Sequence, residues 1–485
     1  MTSADFVAVL PLLVVGYASV LVLVIGAFWR NHTGVAVLAL ASLAAAFVAI
    51  FVALPLAPHQ VTPLLRVDSL ALFYMGLFFL GAFALAIFAH DYLRTCRAET
   101  ERFYALLLLA VLGMGVLAAS THFVSFFLGL ETLSVSLYGL IGYTFWRKPS
   151  LEASLKYLIL AGISLSFLLL GMALVYFQVG TMEFGALAAG LRGGDPAPLT
   201  FLGIGFILVG FSFKLAVVPF HTWAPDVYQG APAPISALIA TGSKAAVFAL
   251  MLRFLYLLSL RELGSLFLLL EVLAILTMFG GNLLALLQGN IKRLLACSSI
   301  AHMGYLLIPF LAGGMPGASS FAFYFISYFI ATIGAFGVIS ILSTAEEDLE
   351  ELDDYRGLGF HRPWLGAALG LMMLSLAGIP PTIGFIAKFY IFAAAAHSSL
   401  WMLLVIGVIN SGIAAYYYLR VLVALYSRAA REDMTRRRRR QSAARPAGSA
   451  VSLAVLALLL IGFGIYPTPL ISLTQKAWEL WVGGP

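Results

Sequence analysis

The chain has 485 residues, of which 62% are hydrophobic and only 10% are charged, with a formal net charge of +6. About a quarter of the residues of an ordinary soluble domain are charged, so this composition excludes a soluble enzyme or binding module. It predicts a polytopic helical membrane protein. The start of the chain has no basic segment before its first apolar run, so we expect no cleavable signal peptide.

Apolar runs of membrane-spanning length predict about fourteen transmembrane helices, numbered here as spans 1 to 14. They fall near residues 6–28, 34–54, 70–90, 103–120, 122–142, 152–178, 201–229, 235–258, 264–287, 294–313, 318–342, 365–396, 400–427 and 449–466. The amphipathic tail from Pro469 to Trp481 is expected to lie in the membrane interface.

Lysine and arginine residues of the connecting segments concentrate in the odd-numbered loops, including the run Arg436 to Arg440. The positive-inside rule therefore predicts that these loops are cytoplasmic and that both termini lie on the outer side. The arginine run favours a basic loop near anionic lipid over a nucleic-acid interface. The acidic segment Glu346 to Asp354 predicts a solvated loop, with a docking surface for another subunit as the alternative.

Two of the apolar runs contain helix-breaking residues. Span 7 includes Pro219 and Pro225, and span 12 includes Gly378, Pro380 and Pro381. Proline removes a backbone donor, and a break in hydrocarbon needs cover from protein or water. Two broken helices five spans apart predict two inverted five-helix repeats, spans 4–8 and 9–13, with a transport site at their interface. The predicted organisation is spans 1–3 (residues 1–102), a first repeat (103–258), a second repeat (259–427), a basic loop (428–448), and span 14 with its tail (449–485).

Four charged residues lie in the middle of membrane-length apolar runs, namely Glu131, Lys214, Lys244 and Lys388. A charge at the bilayer centre costs roughly 2.5–3.5 kcal/mol on insertion scales. Burial disfavours the charged form of a lysine and a nearby carboxylate favours it, so such groups are suited to loading and releasing protons. The alternatives are a neutral, hydrogen-bonded structural glutamate and lysines that snorkel to the interface.

Three further residues are weaker candidates for proton transfer. Lys156 lies only a few residues into span 6 and could instead snorkel to the membrane surface. His221 follows the break of span 7, and His302 lies in span 10. Histidine exchanges a proton near neutrality, although a histidine on an apolar face is often only a core residue.

No metal or nucleotide site is predicted within the chain. Cys96 and Cys297 form no CxxC pair, which disfavours a cysteine-ligated cluster. The sequence also contains no Walker loop and no strand-to-helix GxGxxG fingerprint, so nucleotide chemistry is expected in a partner.

The stretches KLAVVPFHTWAPDVYQGAPAPISALIATGSK, IKRLLACSSIAHMGY and GIPPTIGFIAKF carry a family resemblance. The chain resembles the antiporter-like membrane subunits of proton-pumping NADH–quinone oxidoreductase, respiratory complex I, over essentially its whole length. Within that family it is similar to the subunit-N branch. It reads PDVY where subunits L and M and the cation/proton antiporters typically read PDAH, and it has Lys388 where subunit M is expected to have a glutamate.

The resemblance implies fourteen helices with inverted repeats and a Glu131–Lys214 ion pair. It implies that Lys244 is the central connecting lysine, Lys388 the exit-side lysine and Lys156 an additional lysine. It also implies a translocase role as one subunit of a bacterial inner-membrane complex. NADH, flavin, iron–sulfur clusters and quinone are then expected in partner subunits, with no cofactor in this chain.

The expected partners are other membrane-arm subunits, including antiporter-like neighbours, together with the lipid bilayer and no nucleic acid. The alternative function is a subunit of a multisubunit cation/proton antiporter, in which the same groups would exchange Na⁺ for H⁺. A structural scaffold within the membrane arm is a third interpretation, disfavoured by the cost of four buried charges.

Overall fold

The structure, a computed structural model, describes residues 2–28, 31–95, 100–191, 198–257, 264–427 and 447–482. This part of the chain contains 13 helices long and apolar enough to cross a membrane. Two shorter apolar helices form the halves of a further span, so the prediction of an all-α polytopic membrane protein is confirmed. The run Arg436 to Arg440 and Cys96 lie outside the described residues.

The spans follow the apolar runs closely. In chain order they are Leu10–Phe28, His32–Leu56, Ser69–Tyr92, Thr100–Ala119, Phe123–Ile141, Lys148–Val179, Pro198–Leu215 with Trp223–Gly230, Ala233–Leu257, Gly264–Leu286, Ile291–Ala312, Gly314–Leu342, Pro363–Ala377 with Ile383–His397, Trp401–Tyr426 and Ala447–Ile465. The two halves of spans 7 and 12 are called 7a and 7b, and 12a and 12b. The inverted relation of the repeats, the domain boundaries and the side on which the termini lie stay predictions.

Span 7 breaks where the prolines predicted it. Helix 7a ends at Leu215, and the next residue, Ala216, has a left-handed backbone with φ of 57°. The Trp223 indole at the start of 7b donates a hydrogen bond of 3.0 Å to the Phe213 carbonyl. The tryptophan therefore satisfies one of the carbonyls that the end of 7a leaves open.

Span 8 is also irregular, which the sequence did not predict. Its helix contains a π-helical segment from Ile239 to Ser243, and regular α-helix resumes at Lys244. Such π segments are rare and are found mostly as single turns within α-helices. Lys244 therefore begins a new helical register.

Several small elements lie outside the spans. A two-stranded antiparallel hairpin, His59–Thr62 with Leu65–Val67, follows span 2 and was not predicted. The amphipathic tail forms the helix Thr468–Val482, as expected. Trp478 of this helix is buried and packs edge-on against Tyr256 at the end of span 8. The placement of the tail in the membrane interface stays a prediction.

Spans 8, 10 and 11 form the centre of the molecule. Their apolar windows are almost completely buried, whereas spans 1, 2, 6, 13 and 14 expose most of theirs. A helix that is hydrophobic all round and buried within other helices is a core element. Polar side chains on these three spans therefore face other protein groups rather than lipid.

A buried ion pair joins the start of span 3 to span 8. Arg253 donates to both carboxylate oxygens of Asp68, at 2.7 and 2.8 Å, and to the Ala118 carbonyl at 2.9 Å. Asp68 also accepts from the Ala71 amide and so caps span 3. Arg253 is buried inside span 8, where this carboxylate holds it.

We expect Arg253→Met to lower the thermal unfolding temperature of the purified protein in detergent. The change leaves Asp68 buried without its bidentate partner, and breaking such a pair costs about 3–5 kcal/mol. Arg66→Met is the matched control, because Arg66 is partly exposed and lies 4.0 Å from the same carboxylate. Equal unfolding temperatures for the two variants would contradict a structural role for the Arg253–Asp68 pair.

Candidate functional site

Each of the three predicted lysines lies next to a helix irregularity. Lys214 is in the last turn of helix 7a, and Lys244 directly follows the π segment of span 8. Lys388 is in helix 12b, shortly after the break of span 12. All three are buried, with exposed fractions of 6%, 0% and 5%. The snorkelling interpretation is therefore wrong for these lysines.

Lys214 is bound to hydroxyl groups. Its ammonium donates to Ser134 Oγ at 2.7 Å and to the Tyr157 hydroxyl at 3.3 Å, and it lies 5.1 Å from the Tyr157 ring centre. The Ser134 hydroxyl in turn donates to the Leu130 carbonyl. Span 5 thus provides a neutral partner for this lysine.

The direct ion pair between Glu131 and Lys214 is absent from the described contacts. Glu131 is half-buried, and it shares one face of span 5 with the exposed side chains Leu128 and Val135. Residues spaced in this way lie on one side of a helix. The carboxylate therefore points towards the exposed face of span 5, although it remains close enough to Lys214 to interact electrostatically.

Lys244 is held by a cluster of hydroxyls at the centre of the molecule. Its ammonium donates to Ser299 Oγ at 2.7 Å and lies 5.9 Å from the Tyr228 ring. Tyr328 of span 11 also donates to Ser299 at 2.7 Å, and the Tyr228 hydroxyl is 3.4 Å from the same oxygen. The small polar neighbours in span 8 are not its partners, since Thr241 bonds to the backbone of its own helix.

His302 lies between two tyrosine hydroxyls. Its Nδ1 is 2.7 Å from the Tyr324 hydroxyl, and its Nε2 is 3.1 Å from the Tyr418 hydroxyl. Tyr418 also hydrogen-bonds to Ser298. The His302 ring packs 4.9 Å from that of Tyr328, which connects the histidine to the Lys244 cluster.

Lys388 closes the end of helix 12a. Its ammonium donates to the Ala377 carbonyl at 2.8 Å and to Ser411 Oγ at 2.9 Å, and it lies 5.4 Å from the Tyr305 ring. A cation at a helix C-terminus is favoured by the helix dipole and satisfies an open carbonyl. The break of span 12 thus supplies part of the binding environment of this lysine.

A small cavity joins His302 to Lys388. Its volume is about 10 Å³, and its lining also includes Tyr324, Tyr328 and Ser375. The buried hydroxyl of Ser375 has no hydrogen-bond partner among the described residues. A cavity of roughly this size with several polar groups can hold one water molecule.

Lys156 and His221 lie away from these clusters. Lys156 is partly exposed and forms ion pairs with Glu152 at 2.7 Å and Asp226 at 2.9 Å. His221 lies half-buried in the break of span 7, and its Nδ1 has no hydrogen-bond partner in the part of the chain that the structure describes. Neither side chain contacts a buried lysine there, so their roles stay predictions.

Most members of the hydrogen-bonded clusters around the lysines and His302 were not predicted from the sequence. They are hydroxyl side chains: Ser134, Tyr157, Tyr228, Ser298, Ser299, Tyr324, Tyr328, Tyr418 and Ser411. The spacing of Tyr324 and Tyr328 on one face of span 11 was a usable pattern, because buried tyrosine hydroxyls need partners. The half-buried Glu271 of span 9 is a further intramembrane carboxylate that the analysis overlooked.

Comparison with known proteins identifies one family. A family model described as NADH:quinone oxidoreductase/Mrp antiporter, TM, matches residues 120–414. Among solved structures, a chain of respiratory complex I from Thermus thermophilus with bound aureothin is 34% identical to this chain. That match covers 95% of this chain and 98% of the other, with a TM-score of 0.80.

Two further structures share the fold. A chain of the membrane-bound sulfane sulfur reductase, an archaeal respiratory membrane complex, is 26% identical, with coverages of 98% and 97% and a TM-score of 0.80. A chain of the Mrp complex from Dietzia sp. DQ12-45-1b is 20% identical, with coverages of 100% and 98% and a TM-score of 0.84. At that identity the second likeness is evidence for the fold alone.

We expect Gly378→Ala to destabilise the Lys388 site. Gly378 has φ of 81°, and an added Cβ would lie 2.7 Å from the Lys388 Cδ atom. The left-handed backbone alone costs about 1–2 kcal/mol for a residue with a Cβ. The thermal unfolding temperature in detergent should therefore fall. Gly370→Ala in helix 12a is the control, because its nearest new contact is 4.0 Å away, and a similar loss there would contradict the argument.

Proposed function

Because the chain belongs to the transmembrane family shared by NADH:quinone oxidoreductases and Mrp antiporters, we propose that it is a proton-translocating membrane subunit of an NADH:quinone oxidoreductase. Within that family we assign it to the subunit-N branch. The 34% identity to a complex I chain over almost the full length of both chains supports this assignment. The PDVY segment, which carried the subunit-N resemblance, supports it further.

The observation that carries the proposal is the neutral character of the lysine partners. Lys214, Lys244 and Lys388 each donate to a serine hydroxyl at 2.7 to 2.9 Å. An unpaired buried carboxylate would be costly if its lysine lost the proton, whereas a serine hydroxyl stays neutral. Lys244 and Lys388 can therefore be charged or neutral without leaving an opposite charge behind.

The hydroxyl clusters would provide part of a route from Lys244 towards Lys388. A hydroxyl accepts one hydrogen bond and donates another, so it can receive a proton on one side while releasing one on the other. Ser299 and Tyr328 extend from Lys244 to the His302 ring. A water molecule in the cavity beside His302 would continue the route to Lys388. Lys214 would load this route, and Glu131 would modulate its charge.

The driving reaction is assigned to other subunits. We propose that NADH, flavin, iron–sulfur clusters and quinone are bound there, and that electron transfer changes the contacts of the lysines through the membrane arm. The neighbours would be other membrane-arm subunits, including antiporter-like ones, in a bacterial inner membrane. Both termini would lie on the periplasmic side.

The second candidate function is a subunit of a cation/proton antiporter. The family includes Mrp antiporters, and the fold of the Dietzia Mrp chain matches the whole of this one. A Na⁺ site needs several oxygen ligands close together. No group of three His, Cys, Asp or Glu side chains that could hold a metal occurs within the described ranges.

We expect Lys214→Met to abolish or strongly reduce proton translocation by the assembled complex in proteoliposomes. The variant removes the ammonium that Ser134 and Tyr157 bind, and loss of one transfer group interrupts the relay. Lys148→Met is the matched control, because Lys148 is exposed at the start of span 6. Pumping at the control rate by the Lys214 variant would refute the proposed relay.

Affinity purification of the native complex should distinguish the two candidate functions. For the proposed pump, the tagged chain should co-purify with iron–sulfur and flavin subunits that oxidise NADH. The control is the same membrane preparation from cells with the untagged chain. Recovery of only small membrane subunits, with Na⁺-dependent proton exchange, would establish the antiporter instead.

A further inference from the structure

The acidic segment between spans 11 and 12 turns partly inwards. Asp348 and Lys292 form an ion pair of 2.6 Å in which both side chains are fully buried. The same carboxylate accepts a hydrogen bond of 2.8 Å from Tyr92 and lies 3.2 Å from the Arg147 guanidinium. The expectation of a simply solvated loop is therefore wrong for Asp348.

A second carboxylate of the segment extends this network. Glu350 accepts from the Gln229 and Asn290 amides at 2.9 Å each, and it lies 3.5 Å from Arg147. Its own carbonyl accepts from the Ile291 amide at the start of span 10. The segment thus connects the end of span 3, the start of span 6, the end of helix 7b and the start of span 10. We call Asp348, Glu350, Lys292 and Arg147 the acidic clamp.

Lys292 also holds the junction between helix 7b and span 8. Its ammonium donates to the Gln229 carbonyl and to the Ala231 carbonyl, each at 2.7 Å. These are open carbonyls at a helix C-terminus. A cation there satisfies the carbonyls and is favoured by the helix dipole. The clamp therefore fixes the end of helix 7b by charge as well as by hydrogen bonds.

This junction lies directly beside the Lys244 cluster. Tyr228, whose ring lies 5.9 Å from the Lys244 ammonium, precedes Gln229 in helix 7b. Its carbonyl accepts a hydrogen bond of 2.7 Å from Ser236 on the other side of the junction. Lys292 and Ser299 are seven residues apart on span 10, which places them on one face two turns apart. Of the two residues that contact Lys244, Tyr228 is thus on helix 7b, which Lys292 holds, and Ser299 is on span 10, which carries Lys292.

We propose that Lys292 and Asp348 are positioning residues that keep Tyr228 and Ser299 against Lys244. This inference rests on the proposed function, in which Lys244 transfers protons. The clamp differs from the relay lysines because its lysine is paired with a carboxylate rather than with a serine. Lys292 therefore joins Asp348 to the end of helix 7b by direct contacts.

Arg147 strengthens the clamp from outside the spans. Burial lowers the pKa of its guanidinium, but the Asp348 carboxylate, Tyr92 and the Glu350 carboxylate together raise that pKa above its ordinary value. The guanidinium is therefore permanently charged. Removing Asp348 would leave two buried cations close together without their shared partner, which is strongly destabilising for the local structure.

The test is hydrogen–deuterium exchange on the purified complex carrying Asp348→Asn. We expect amides of the peptide covering residues 223–236 to exchange about tenfold faster or more than in the unmodified complex, because the junction opens locally. The matched control is Asp353→Asn in the same segment, since Asp353 is largely exposed in an ion pair with Arg356. Exposed pairs contribute little to stability, so this control should exchange at the unmodified rate.

The second measurement is the number of protons translocated per NADH oxidised in proteoliposomes. A loss of assembly would lower the rate of proton translocation and the rate of NADH oxidation in proportion. Misplacement of Tyr228 and Ser299 should instead lower the number of protons translocated per NADH in complexes that still oxidise NADH. Should the complex with Asp348→Asn fail to assemble, the replacement variant is Tyr92→Phe. It removes only the hydroxyl that donates to Asp348. It should change both measurements in the same direction by a smaller factor.

Unchanged exchange at the junction in an assembled clamp variant overturns the proposal. Faster exchange with an unchanged proton ratio also overturns it, because the clamp would then be structural only. Failure of the proposed function is distinguishable from both outcomes. In that case Lys214→Met leaves translocation unaffected, while the exchange measurement still reports on the clamp.

Discussion

Charge in a medium of low dielectric constant needs a partner, and the kind of partner decides what the charge can do. Lys214, Lys244 and Lys388 are buried among apolar spans, and each has a serine hydroxyl as its nearest polar side chain. Lys292 is equally buried but is paired with Asp348. A neutral partner permits the ammonium to lose its proton, whereas a carboxylate fixes the proton in place. The other features of the molecule supply or protect these two kinds of environment.

The helix irregularities supply the space and the backbone groups. A regular helix satisfies its internal carbonyls with its own backbone amides and leaves none of them open. The break of span 12 leaves the Ala377 carbonyl for Lys388, and Gly378 admits the lysine stem where a larger residue would clash. Across the break of span 7, the Trp223 indole bonds to the Phe213 carbonyl near the end of helix 7a. Lys214, Lys244 and Lys388 therefore all lie beside irregular helical segments.

Hydropathy and proline were sufficient to predict the spans and the two breaks, because insertion into a bilayer depends on local sequence. They were insufficient for the site, because the partners of each lysine come from other spans. Ser299 is 55 residues from Lys244, and Ser134 is 80 residues from Lys214. No local pattern encodes such pairings. The face of span 5 that Glu131 occupies and the inward turn of Asp348 likewise depend on how neighbouring helices pack.

The long separation within the clamp also bears on how the protein is made. Lys292 and Asp348 are 56 residues apart, and spans 10 and 11 lie between them. At synthesis rates of roughly 5–20 residues per second, the carboxylate follows the lysine by several seconds. During that interval Lys292 must remain in water or at the lipid headgroups, since it has no anion to accompany it inwards. The Lys292–Asp348 pair is therefore completed only after the ribosome has passed span 11.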